Sequence, residues 1–136
     1  MNYLVLDAST ALGWMVDAPA PVVSLHALQL LQSGTIGVVP DLLYYEVSNA
    51  LIMAERRGRA TAQLVSAHVD DLERLATFLE VSPTTPSALI AAARQSRLTA
   101  CDAAYFELAL RRNLPLATLD DKLRAAAQKA GIELLR

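Results

Sequence analysis

Apolar residues along this chain alternate between short continuous runs and longer stretches with helical spacing. The short runs predict five strands, at residues 3–6, 36–39, 78–81, 114–117 and 132–135. The longer stretches predict six helices, at residues 21–32, 41–57, 61–77, 86–95, 100–112 and 120–130. Strands that alternate with helices favour a mostly parallel sheet covered by helices on both faces, which is an α/β fold.

Length and composition indicate one ordinary domain, residues 1–136, with enough apolar residues for a core without disulfides. The single cysteine, Cys101, cannot form an internal disulfide, and no secretion signal or membrane span is apparent, so we expect a cytoplasmic protein. The net charge of −2 does not by itself indicate a nucleic-acid binder. If four of the 14 acidic residues bind cations, however, the remaining acids are outnumbered by the 12 basic residues.

Four acidic residues stand at informative positions. Asp7 follows the first strand, Glu46 lies within the second helix, Asp102 begins the fifth helix, and Asp120 follows the fourth strand. Three of them have a purely structural alternative: Asp7 as a helix N-cap, Asp102 as the acid of a capping box with Thr99, and Asp120, with its neighbour, as a favourable charge at a helix N-terminus.

Glu46 is harder to explain structurally. Its neighbours one helical turn away are mainly apolar, and no Lys or Arg lies within a turn on that face. A buried carboxylate is very unfavourable unless it is protonated, paired or bound to a metal. An exposed Glu46 is the alternative.

The order of the elements brings these acids together. In a parallel sheet the carboxyl ends of the strands form one ligand-binding edge, where Asp7 and Asp120 both belong and where we expect Asp102. Carboxylates converging there repel one another unless a cation is present, and oxygen ligands suit Mg²⁺ or Mn²⁺. Two isolated histidines and one cysteine disfavour zinc. Such a site can support phosphodiester hydrolysis.

Four segments carry a resemblance to the PIN-domain family, and more specifically to VapC-type toxins of toxin–antitoxin pairs. They are residues 3–9, 46–51, 98–105 and 116–120, in family order across nearly the whole chain. The resemblance implies a three-layer α/β/α sandwich. It also implies a metal-dependent endoribonuclease in which Mg²⁺ or Mn²⁺ is held by Asp7, Glu46, Asp102 and Asp120.

The resemblance further implies supporting roles for Ser9, Asn49 and Thr118, which orient ligands or water. It implies an RNA substrate, a homodimer, and a small antitoxin that blocks the active site. Asp121 is an alternative to Asp120. We favour Asp120, because it directly follows the segment 116–119. No residue is assigned to RNA binding; Tyr44 and Tyr45 are expected mainly to pack within their apolar helix.

Three other functions compete with a toxin nuclease. A phosphotransfer enzyme of the haloacid-dehalogenase type also begins with Asp after a strand, but its second Asp would fall at Ser9. A non-catalytic PIN-like binding module would be expected to lack the acidic ligands. A PIN-domain nuclease for RNA processing would share the site, and only the small size favours the toxin.

Overall fold

The computed structural model describes residues 2–136. Four strands form its sheet: β1 Tyr3–Leu6, β2 Ile36–Val39, β3 Leu79–Val81 and β4 Leu116–Ala117. Seven α-helices are found in these residues: α1 Ala8–Val16, α2 Val22–Gln32, α3 Leu42–Arg56, α4 Ala62–Leu75, α5 Pro86–Ser96, α6 Ala100–Arg112 and α7 Asp121–Lys129. A short 3₁₀ helix, Ala76–Phe78, joins α4 to β3. The sheet is entirely parallel, with the strand order β3-β2-β1-β4, which confirms the predicted α/β/α sandwich.

The core lies on the central strands. Val5, Leu6 and Val38 are completely buried, because β1 and β2 are covered by helices on both faces. On one side α1 packs against α2 and α3, while α6 packs against β1, β4, α5 and α7. Among residues 2–136 no helix is long and apolar enough to cross a membrane.

Two predictions about individual elements were wrong. Helix α1 was not among the six predicted helices, because its sequence is apolar on most faces and lacks a polar stripe of helical period. The predicted fifth strand, residues 132–135, forms only an isolated parallel bridge between Leu134 and Leu116. Pairing with this segment is limited to the two hydrogen bonds made by Leu116, because the Leu114 amide donates to the Ala109 carbonyl and the Thr118 carbonyl accepts from the Arg124 side chain.

Because all strands run in the same direction, their carboxyl ends share one edge. The residues that follow β1 and β4 there are Asp7 and Thr118, and the Asp7 amide donates a hydrogen bond of 3.2 Å to the Ala117 carbonyl. This edge holds the predicted site.

Candidate active site

Asp7 is the most constrained acid of the site. It is 5% exposed and acts as the N-cap of α1, so the structural alternative is real, but it accounts for only part of the hydrogen bonding. One carboxylate oxygen accepts hydrogen bonds from the Ser9 hydroxyl at 2.7 Å, the Thr10 amide at 3.0 Å and the Thr10 hydroxyl at 3.1 Å. The other oxygen accepts the hydroxyl of Thr118. A single rotamer is therefore fixed before any ligand binds.

Two cross-links join the end of β4 to the end of β1. Thr118 is fully buried, and its hydroxyl both donates to Asp7 and accepts the Asp120 amide at 3.0 Å. The Ser9 hydroxyl, which donates to Asp7, accepts the Leu119 amide at 3.0 Å. Ser9 and Thr118 thus both donate to the Asp7 carboxylate, and their role in orienting a ligand or water stays a prediction.

Asp120 is the N-cap of α7. Its Oδ1 accepts the Leu123 amide at 2.9 Å, which leaves Oδ2 without a hydrogen bond among residues 2–136. Its neighbour Asp121 is exposed and makes no bond to Thr118. Of these two acids, only Asp120 contacts Thr118, through its backbone amide. The choice of Asp120 as a ligand stays a prediction.

Glu46 is half-buried on α3, between the solvent and the sheet. Its Oε1 accepts a hydrogen bond of 2.5 Å from the Tyr105 hydroxyl, which reaches across from α6. The sequence did not predict this partner, because Tyr105 is 59 residues away and a helical pattern indicates only neighbours within a turn. The spacing of Asp102 and Tyr105, three residues apart on one helix, was the available signal.

Asp102 lies in the first turn of α6 and is half-buried. Its amide donates to the Thr99 hydroxyl at 3.3 Å, so Thr99 is the N-cap. The return bond of a capping box, from the Thr99 amide to the Asp102 carboxylate, is absent among residues 2–136. The carboxylate of Asp102 therefore remains available to a ligand.

Electrostatics shows which of these acids are close together. Burial raises the pKa of Asp7, and the bonds from Thr118, Ser9 and Thr10 oppose that rise. Burial also raises the pKa of Glu46, against the lowering effect of the Tyr105 bond, and the negative charges of Asp102 and Asp7 raise it further. The carboxylate of Glu46 thus lies close enough to Asp7 and Asp102 for both negative charges to act on it. Asp120 joins them only through Thr118.

Asn49 is exposed on α3, one turn beyond Glu46, where its side chain makes no hydrogen bond among residues 2–136. It lines an open cleft of about 710 Å³ together with Tyr44, Tyr45, Ser48 and Ile52. The expectation that Tyr45 packs in the protein was wrong, because its side chain is 72% exposed. The supporting role of Asn49 stays a prediction.

A divalent cation fits the chemistry of these donors. All are carboxylate or hydroxyl oxygens, and no salt bridge among residues 2–136 neutralises Asp7, Glu46 or Asp102. The described residues hold no preformed cluster of three or more metal-binding side chains. Among residues 2–136, the carboxylate of Asp7 accepts four hydrogen bonds and that of Glu46 accepts one.

A second concave region lies elsewhere in the protein. It measures about 940 Å³ and is lined by Tyr3, His26 and Arg136, among others, at the opposite edge of the sheet. It contains none of the four acids.

Comparisons with known proteins were made on the sequence and on the fold. The PIN domain family matches residues 4–129. The fold resembles the crystal structure of PAE2754 from Pyrobaculum aerophilum, with a TM-score of 0.72 and 25% identity over 99% of this chain and 90% of that one. No curated protein sequence matches the chain.

Two further solved structures share the fold at lower identity. VapBC2 from Rickettsia felis, bound to a DNA fragment from its promoter, has a TM-score of 0.63 and 14% identity over 97% of this chain and 96% of that one. Mycobacterium tuberculosis VapC20, a sarcin-ricin loop cleaving toxin, has a TM-score of 0.58 and 19% identity over 90% of this chain and 94% of that one. At these identities the similarity concerns the fold.

Proposed function

The chain belongs to the PIN-domain family, and from this premise we propose that it is a metal-dependent endoribonuclease, the toxin of a type II toxin–antitoxin pair. One observation carries the proposal. Glu46 on α3 lies close enough to Asp102 on α6 and to Asp7 at the start of α1 that both negative charges raise the pKa of its carboxyl group. Such a convergence has no structural benefit, because like charges destabilise the folded state.

In this proposal Asp7, Glu46, Asp102 and Asp120 hold Mg²⁺ or Mn²⁺, which supplies an activated water and stabilises the leaving oxygen of the phosphodiester when bound. Asp7 provides the rigid anchor because four donors hold its carboxylate. Glu46 keeps Oε2 free while Tyr105 occupies Oε1. Ser9 and Thr118 orient Asp7 through their hydroxyls, and Asn49 orients water or substrate from the exposed turn after Glu46.

An open site suits a polymer substrate. The carboxylate edge lies outside the 940 Å³ cavity, and an exposed edge suits a substrate that lies along the surface. RNA as the substrate is supported by the family and by VapC20, which shares the fold and cleaves the sarcin-ricin loop. We extend this to RNA hydrolysis here, without naming the RNA.

An antitoxin partner and a homodimer belong to the same proposal. VapBC2, another structure with this fold, carries the name of a two-component complex. We infer a small antitoxin that covers the carboxylate edge of this chain, a homodimeric toxin, and action in the cytoplasm, where both RNA and antitoxin are found. Coexpression of the neighbouring gene's product should relieve the growth arrest caused by this chain.

Two functions remain as alternatives. A PIN-domain nuclease for RNA processing would use the same acids, and it would cause no growth arrest that a neighbouring gene relieves. A non-catalytic PIN-like binding module would not need all four acids, which are present here. The haloacid-dehalogenase reading is set aside because the family match covers residues 4–129.

The test is metal-dependent cleavage of labelled total RNA by purified protein, with Mg²⁺, with Mn²⁺ and after chelation. Asp7→Asn should abolish cleavage, because it removes the charge from the anchoring ligand. Asp17→Asn is the matched control, since Asp17 is exposed at the other end of α1. Cleavage that survives chelation, or that persists in Asp7→Asn at the wild-type rate, would refute the proposal.

A further inference from the structure

Tyr105 is a buried residue at the end of the segment 98–105, and the proposed set of metal ligands does not include it. Its side chain is 2% exposed within the core, and its hydroxyl donates to Glu46 Oε1 at 2.5 Å. It is the largest fully buried side chain of the described residues. A tyrosine at this depth needs a partner for its hydroxyl, and here the partner is a carboxylate of the proposed site.

We propose that Tyr105 is a positioning residue that holds the Glu46 carboxylate in place to receive the metal ion. This inference rests on the proposed function, because it assigns Glu46 as a ligand. Tyr105 itself touches neither metal nor substrate.

The geometry of α6 supports this role. Asp102 and Tyr105 lie three residues apart and so face the same side of α6. One helix thus presents a ligand of its own and fixes a ligand of another helix, α3. A single side-chain hydrogen bond thus links Glu46 on α3 to the helix that carries Asp102.

Glu46 needs such a partner more than Asp7 does. Asp7 receives four hydrogen bonds, whereas Tyr105 provides the sole side-chain hydrogen bond to Glu46 among residues 2–136. Glu46 is half-buried and has three rotatable side-chain bonds. Without the Tyr105 hydroxyl it would adopt several rotamers, and the ion would have to select one of them. Removal of such a supporting partner typically weakens metal binding 10- to 100-fold.

The experiment compares Mn²⁺ binding to metal-free wild type and Tyr105→Phe, by the loss of the electron paramagnetic resonance signal of free Mn²⁺. Phe keeps the ring in the core, and circular dichroism with a melting curve establishes that the variant folds. Tyr3→Phe is the matched control, because Tyr3 lies at the opposite end of β1. We expect Tyr105→Phe to bind Mn²⁺ roughly 10- to 100-fold more weakly, and Tyr3→Phe to bind as wild type does.

RNA cleavage as a function of Mn²⁺ concentration gives a second readout. A positioning role predicts a raised Mn²⁺ requirement with kcat at saturating Mn²⁺ nearly unchanged, whereas general damage to the site would lower kcat as well. Should Tyr105→Phe not fold, the comparison is between Glu46→Gln and Glu46→Gln/Tyr105→Phe, in which no carboxylate loses its hydrogen-bond donor. Equal Mn²⁺ affinity in these two variants is expected if Tyr105 acts through the Glu46 carboxylate, and a further loss in the double variant would refute that role.

The possible failures can be told apart. If the wild type binds no Mn²⁺ at all, both the proposed function and this inference fail. If the wild type binds Mn²⁺ and Tyr105→Phe binds it equally tightly, the proposed function stands and the positioning role of Tyr105 is refuted. A loss of affinity equal in Tyr105→Phe and Tyr3→Phe would also refute that role.

Discussion

Removal of the Thr118 hydroxyl should measurably destabilise the protein. Thr118 is completely buried, and its hydroxyl donates to the buried carboxylate of Asp7 while accepting the Asp120 amide at 3.0 Å. A hydrogen bond to a charged group contributes about 1.5–3 kcal/mol, and an amide bond to a hydroxyl about 1 kcal/mol. Because Asp7 cannot reach water to replace the lost donor, Thr118→Val should cost roughly 2–4 kcal/mol of the free energy of unfolding.

The assay is urea unfolding of metal-free protein at neutral pH, followed by circular dichroism. For a domain of this size the loss corresponds to a fall in Tm of roughly 5–15 °C. Thr118→Ser keeps the hydroxyl and should recover most of the stability. Thr77→Val is the control, because the Thr77 hydroxyl donates to a backbone carbonyl at an exposed position.

A specific result would contradict this reasoning. If Thr118→Val unfolds at the same urea concentration as the wild type, the hydroxyl does not stabilise the Asp7 carboxylate. If Thr118→Ser loses as much stability as Thr118→Val, the effect comes from the lost methyl packing and not from the hydrogen bonds.

Three further predictions concern the same molecule. Burial raises the pKa of Asp7 and Glu46 above their usual 3.8 and 4.5, so the folded protein binds these protons more tightly than the unfolded chain. Metal-free wild type should therefore lose stability, relative to Asp7→Asn, as the pH rises from about 4 through the folded pKa of Asp7. The measurement is the urea midpoint of both proteins at several pH values. A difference between the two midpoints that does not change with pH would contradict the prediction. Saturating Mn²⁺ should raise the Tm of the wild type and leave that of Asp7→Asn nearly unchanged, and an equal shift in both would argue against Asp7 as a ligand. Gly13→Ala should lower the free energy of unfolding by about 1–3 kcal/mol in the same assay, because the new Cβ would lie 2.0 Å from the Ser24 hydroxyl oxygen. An unchanged urea midpoint would contradict this, because α1 and α2 would then move apart at no cost in free energy.

Sequence patterns located most of the elements and several of their ends, but not their partners. Periodicity correctly placed β1, β2 and six helices, because apolar spacing reports which face of an element is buried. It did not reveal α1, whose residues are apolar on most faces, or the reduction of segment 132–135 to one bridge. The second outcome depends on which backbone groups of the neighbouring strand are available for pairing, and a local sequence pattern does not contain that information.

The acids divide in the same way. Their identity, their order and their positions after strands or at helix starts could be read from the chain, and those positions predicted one shared edge because parallel strands end together. The resemblance to the PIN-domain family, carried by these same segments, is confirmed by the match over residues 4–129. Whether the acids bind a metal stays a prediction.

Tertiary structure alone decided which distant hydroxyl groups donate to the carboxylates of Asp7 and Glu46. The bond between Tyr105 and Glu46 spans 59 residues, and the bond between Thr118 and Asp7 spans 111. The sequence determined which chemistry the chain can offer, because residue type sets donors, charges and helix faces. Only folding determined which hydroxyl meets which carboxylate, because contacts between distant residues are fixed by the packing of whole helices on the sheet.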